Sequence, residues 1–130
     1  MLSILYEGGI QMNRKLDWSR DNVIAFQIDN KIEEQEYKEM LREVEQLMEQ
    51  YDKIRIFMKV PDLEGTELST IADRFKFVKE NNMDQIEKYA LVGEQKTTQA
   101  VTKAVDVLSS INTRQYPFDE EEAAKKWIFE

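Results

Sequence analysis

A 130-residue chain with no histidine and no cysteine has few groups with which to do chemistry. Without cysteine there are no disulfides, thiolate metal sites or thiol nucleophiles. Without histidine, the usual general base near neutral pH, the Ser–His pairing and the commonest zinc ligand are all missing. Carboxylates, lysines, tyrosines and hydroxyls remain. Asp62 and Glu64 could act as acid and base or hold a divalent cation, but two acids in a loop of an acidic protein are explained more simply as a solvated turn. Gly65 and Gly93 are isolated, and neither sits in GxGxxG or GxxxxGK[ST], so no phosphate-cradling loop is present. Each glycine is expected to supply a turn with φ > 0. No catalytic residue, metal site or cofactor is expected, and the chain reads as a non-enzyme.

Charge narrows the partners. The 18 basic and 26 acidic side chains leave a net −8, which repels phosphates and argues against a nucleic-acid or anionic-membrane surface. No segment approaches the roughly 20 apolar residues of a membrane span. The first residues lack a basic stretch followed by an apolar one, so no signal peptide is expected. The expected location is the cytoplasm, and the length suits one domain over residues 1–130.

The elements that must position any site follow from periodicity. Leu2, Ile4 and Tyr6 alternate before Gly8-Gly9, a hairpin signal. Ile10, Met12, Leu16 and Trp18 share one face of a period-2 pattern, and Ser19 to Asn22 is a turn signal. Val23–Ile28 reads as a central strand. A helix follows over roughly Glu34–Tyr51, its apolar stripe formed by Tyr37, Met40, Leu41, Val44, Leu47, Met48 and Tyr51, with Ile32 and Tyr37 placed as a hydrophobic staple. Ile54–Val60 is a second buried strand, stopped by Pro61. Thr66 is placed to cap a helix over Glu67 to about Lys79, and Ile86–Val92 is the next strand. A helix over about Lys96–Ile111, a short edge strand over Gln115–Phe118 carrying Pro117, and a last helix presenting Ala123, Ala124, Trp127 and Ile128 complete the chain. Asp119 with Glu122 reads as a capping signature for that last helix, where negative charge also meets the positive end of the macrodipole. Tyr89 is expected in the core with its hydroxyl at the rim, and Met40, Met48 and Met58 as gap-fillers.

Strands alternating with helices imply an α/β fold with a mixed, mostly parallel sheet and right-handed crossovers behind a β-rich start. The carboxyl ends of such strands and the helix starts that follow share one edge, which ligands and partners prefer. That edge should carry Asp62, Glu64, Gly65, Thr66, Gly93 and Glu94 as the candidate interaction residues. Asn30, Lys31, Glu33, Thr97 and Thr98 belong to the same rim.

The order of several strings resembles the SpoIIAA-like family, related in fold to the STAS domains of anti-sigma-factor antagonists and linked by name with the CRAL-TRIO lipid carriers. The strings are VIAFQIDNKI (Val23–Ile32), YDKIRIFMKV (Tyr51–Val60) with DLEG (Asp62–Gly65), KFVK (Lys76–Lys79), IEKYALVGE (Ile86–Glu94) and RQYPFDEEEAAKKWIF (Arg114–Phe129). The resemblance implies a STAS-type β-α superhelix of four or five strands with the main helices largely on one side. It also implies a small bacterial protein, often dimeric, without established catalytic residues. The antagonists switch through a serine after their third strand. Here Glu64 stands at that place, Thr66 and Ser69 are the nearby hydroxyls, and Lys96-Thr97-Thr98 stands where an aromatic is expected.

Two functional expectations follow. The first is a protein-interaction or regulatory module, with a protein partner or a second copy of itself. The alternative is a carrier or sensor of an apolar small molecule held between the sheet and the Met- and Tyr-bearing helix.

Overall fold

The computed structural model describes residues 13–28, 34–60, 85–104 and 112–130. It holds a five-stranded sheet in sequential order: β1 (Asn13–Lys15), β2 (Val23–Ile28), β3 (Ile54–Lys59), β4 (Ile86–Val92) and β5 (Thr113–Tyr116). β1 pairs antiparallel with β2, and β2 to β5 are all parallel. The helices are α1 (Glu34–Gln50), α2 (Gln95–Ala104) and α3 (Glu121–Phe129), the last preceded by a 3-10 turn over Phe118–Glu120. This is the expected mixed α/β fold with a mostly parallel sheet.

β1 and β2 are joined by a tight reversal. Arg20 and Val23 exchange both backbone hydrogen bonds (3.1 and 2.9 Å), and Asp21 takes φ 53° between them. Aspartate tolerates that region better than most residues. The Ser19 hydroxyl donates to the Leu16 carbonyl at 2.7 Å and accepts from the Ala25 amide at 3.0 Å, tying the turn to β2. Of the period-2 stretch Ile10–Trp18, among the described residues only Asn13–Lys15 is strand, although Leu16 and Trp18 do share one apolar cluster.

Strand alternation sends side chains to two faces. Ile24, Phe26 and Ile28 of β2, Ile56 and Met58 of β3, and Tyr89 and Leu91 of β4 form one core, against which Met40, Val44, Leu47 and Met48 of α1 pack. Val23, Ala25, Phe57, Ala90 and Val92 form the second, covered by Ala124, Trp127 and Ile128 of α3 with Leu16 and Trp18. The parity of β4 holds through a bulge. Ile54 pairs with Ile86 and Arg55 with Lys88, so Glu87 is the extra residue and both Ile86 and Tyr89 reach the first face.

Two expectations about the helix stripes fail at their ends. Tyr51 lies just past α1 and is 37% exposed, and Ala123 is exposed while its neighbour Ala124 is fully buried. Nor does the Tyr89 hydroxyl sit at the rim. The side chain is fully enclosed, and that burial pushes the phenol far above its ordinary value. The expected staple at Ile32 and the helix over Glu67–Lys79 lie outside the described residues.

The sheet itself caps α3. Lys88 Nζ donates to the Trp127 carbonyl at 3.0 Å and Arg55 Nη1 to the Ile128 carbonyl at 2.9 Å, while Arg55 Nε bonds Glu87 at 2.7 Å. Two carbonyls at the negative end of the helix thus meet cations. At the other end Lys59 Nζ bonds Glu121 Oε1 at 2.8 Å. α1 is finished in a comparable way, with Gln85 Nε2 donating to the Met48 carbonyl at 3.2 Å.

Replacing Arg55 with Met keeps the aliphatic stem but leaves the Ile128 carbonyl without its donor. Urea unfolding followed by Trp fluorescence should show a loss of about 1–3 kcal/mol. The pH response follows from Tyr89. The unfolded chain releases this proton near pH ~10 and the folded chain only far above it. Stability is therefore fully present below about pH 10 and declines as pH rises past it. Tyr89→Phe should flatten that alkaline decline, which unfolding curves measured at rising pH will read.

Candidate functional site

The four parallel strands end at one edge, so the chain after β3, β4 and β5 meets there. Val60 and Val92 are joined by a 2.9 Å bond from the Val60 amide to the Val92 carbonyl, and the Gly93 amide donates to the Tyr116 carbonyl at 3.0 Å. α2 starts directly after Glu94. The Thr98 amide donates to the Glu94 carbonyl at 2.9 Å, and the Thr98 hydroxyl lies 3.2 Å from the Gln95 carbonyl and 3.1 Å from Gln115 Oε1. Thr98 thereby ties the first turn of α2 to the last strand.

Gly93 is required here for space. A Cβ on it would lie 2.9 Å from Val60 Cγ2, 3.0 Å from the Val60 carbonyl and 3.3 Å from Thr98 Cγ2, and its φ is outside the left-handed region. The expectation of a φ > 0 turn at Gly93 is corrected: close approach of two strand ends and a helix start excludes a side chain.

Beside this junction lies a cleft of about 320 Å³ lined by Gln95, Thr98, Gln115, Tyr116 and Pro117. Two side-chain amides, a threonine hydroxyl and a phenol line it, with proline at its margin. Among these residues there is no carboxylate or amine. Such a lining presents hydrogen-bond donors and acceptors to a ligand. Beyond the cleft, Pro117 turns the chain into the 3-10 turn, where Phe118 is 41% exposed and Asp119 and Glu120 are exposed.

Of the six candidate residues, the structure places two. Gly93 is buried at the junction and Glu94 is exposed where α2 begins. Asp62, Glu64, Gly65 and Thr66 lie outside the described residues, as do Asn30, Lys31 and Glu33. Thr97 and Thr98, expected on the rim, are instead 1% exposed and buried beneath it. The Asp119–Glu122 capping signature is also corrected. Glu120 occupies the position before α3, and no side chain caps it, because the 3-10 turn takes up Asp119. The acids still meet the positive helix end, with Glu121 and Glu122 in the first turn.

Gln95, Gln115, Tyr116, Pro117 and Phe118 were missed as site residues. The rule that located Gly93 would have found them if carried one strand further, since Tyr116 ends β5 at the same edge. Met58 is 3% exposed, and Met40 and Met48 pack on the same core as β3. Among the described residues no group of three or more acids could hold a metal ion, and no helix is long and apolar enough to cross a membrane.

A mostly parallel sheet in sequential order, crossed by helices and closed by an acidic-fronted C-terminal helix, defines a STAS-type β-α arrangement. The sequence model of the SpoIIAA-like family matches residues 23–129, and the chain belongs to that family. No curated protein and no solved structure matches the chain.

The Gly93 reading separates two causes. If space is decisive, Gly93→Ala and Gly93→Asn both destabilise, the first by about 1–3 kcal/mol and the second by more. A need for φ > 0 would instead favour Asn over Ala. Urea midpoints of the two variants decide it.

Proposed function

We propose that this chain is a non-enzymatic regulatory or protein-interaction module of the cytoplasm, folded as one domain, that meets a protein partner through the carboxyl edge of its sheet. The working residues in this reading are Asp62, Glu64, Gly65, Thr66, Gly93 and Glu94, joined by Gln95, Gln115 and Phe118. The observation that carries it is the cleft of about 320 Å³ between the first turn of α2 and the end of β5. Hydrogen bonds from Gly93 and Thr98 build its walls, so the surface is formed before any partner arrives. Membership of the SpoIIAA-like family supports a regulatory or interaction role.

The absence of cysteine makes a direct test available. A single cysteine carrying a photo-cross-linker is placed at Glu94, at Gln115 or, as control, at exposed Glu45 on α1. Glu94 and Gln115 should capture one and the same protein from the native cell extract, identified by mass spectrometry, and Glu45 should not. Capture should fail when Glu64 and Thr66 are both replaced by Arg. Equal capture through Glu45, or capture indifferent to the double replacement, overturns the assignment of the edge.

A further inference from the structure

Among the described residues, the edge carries five carboxylates (Glu94, Asp119, Glu120, Glu121 and Glu122) against the two ammonium groups of Lys59 and Lys96. Lys59 is already committed, since its Nζ bonds Glu121. Glu94, Asp119, Glu120 and Glu122 have no ion-pair partner among the described residues, in contrast to Glu43 with Lys15 and Glu87 with Arg55. The helix macrodipole accounts for acids ahead of α3. It does not account for the aromatic ring set among them. Phe118 is 41% exposed and stands between Pro117, at the margin of the cleft, and the carboxylates of Asp119 and Glu120. Lys59 Nζ lies 6.0 Å from the centroid of that ring, so the ring already receives one cation and still offers surface to solvent.

An exposed ring next in the chain to Pro117 of a neutral hydrogen-bonding cleft, and followed by two carboxylates with no ion-pair partner among the described residues, is matched by a planar cation. A guanidinium can stack on the ring and bond a carboxylate at the same time, which an ammonium does less well. We propose that the carboxyl edge docks a cationic, arginine-bearing segment of a protein partner, anchored on Phe118 with a neighbouring side chain of that segment in the cleft. This names the partner chemistry of the edge and rests on the edge being the working surface. The same arrangement repels acidic segments, so the rim selects against them as well as for basic ones.

Fluorescein-labelled peptides test it on the full chain by anisotropy. One alternates Arg with Leu, one Lys with Leu, one Glu with Leu and one Arg with Ser. The Arg/Leu peptide should bind more tightly than the Lys/Leu form but no more tightly than the Arg/Ser form, whose hydroxyls can bond the cleft, should lose affinity as salt rises, and should outbind the Glu/Leu form, which should not bind. Phe118→Ala should weaken it about fivefold or more, and the pair Asp119→Asn with Glu120→Gln about tenfold. The pair Glu45→Gln with Glu49→Gln on α1 removes the same charge and should change affinity less than about twofold. Circular dichroism checks that each variant remains folded. Failure of the Arg/Leu peptide to bind, indifference to Phe118→Ala, or equal loss in the α1 pair overturns the proposal. If cross-linking through Glu94 still captures its protein while the Arg/Leu peptide fails, the edge stands and the cationic partner falls.

Discussion

A parallel sheet built from nearly continuous apolar strands has two faces to hide, and the second face here depends on one short helix. α3 spans nine residues, well below the length at which an isolated helix holds in water. Its helicity must come from docking. Ala25 and Ala90 on the sheet and Ala124 on the helix are all fully buried, and small residues on both sides let helix and sheet approach closely. Around them Phe57, Trp127 and Ile128 supply the area removed from water, with Trp18 edge-on to Phe57 at 4.8 Å. The geometry of this contact is then fixed by charge. Arg55 holds the Ile128 carbonyl and Glu87 at once, and it can do so because the bulge at Glu87 sets Glu87 and Lys88 both near it. One extra residue in β4 therefore does two things. It preserves the apolar parity of the strand, and it assembles the clasp for α3.

That clasp reaches the carboxyl edge of the sheet. α3 runs from Lys59, at the carboxyl end of β3, back to Arg55 near its start, so the helix is pinned at both edges of the sheet. Its lead-in must then lie at the carboxyl edge. Pro117, with φ −71° and ψ 165°, sends the chain out of β5, and the 3-10 turn leaves Phe118 exposed. Exposure of this ring follows from where α3 has to begin. The edge is also stiff on its α2 side, because Gly93 admits no side chain between Val60 and Thr98, and Thr98 ties α2 to Gln115. A surface held by packing and hydrogen bonds on both sides spends little ordering free energy on binding.

Most of this frame was legible in the sequence because it rests on periodicity. Val23–Ile28, Ile54–Val60 and Ile86–Val92 read as strands from their apolar runs, and Met40, Val44 and Leu47 mark the buried face of α1 from 3.6-residue spacing. The features that escaped depend on contacts between distant segments. Nothing local to Glu87 announces a bulge, since only the pairing with Ile54 and Arg55 makes it an extra residue. Gly93 was found by position and given the wrong reason, because crowding by Val60 is invisible until β3 and β4 are paired. The acids at Asp119–Glu122 were read as a cap, and the 3-10 turn that displaces them comes from Pro117 and the anchoring of α3. Gln95 and Gln115 carry no motif at all. They line one cleft only when α2 and β5 meet.

In the proposed reading, the chemistry of the edge also bears on how a chain so acidic would be selective. A net charge of −8 repels acidic partners at long range and speeds the approach of cationic ones, but charge alone would favour any basic surface equally. Discrimination has to come from groups that are costly to leave unmatched. In that reading the side-chain amides of exposed Gln95 and Gln115 supply them at the cleft, since a partner that covered an amide group without hydrogen-bonding it would leave that group unsatisfied. If the edge is the working surface, long-range attraction from the carboxylates and short-range matching at a neutral cleft are different parts of one recognition problem, placed side by side by the end of β5 and the start of α3.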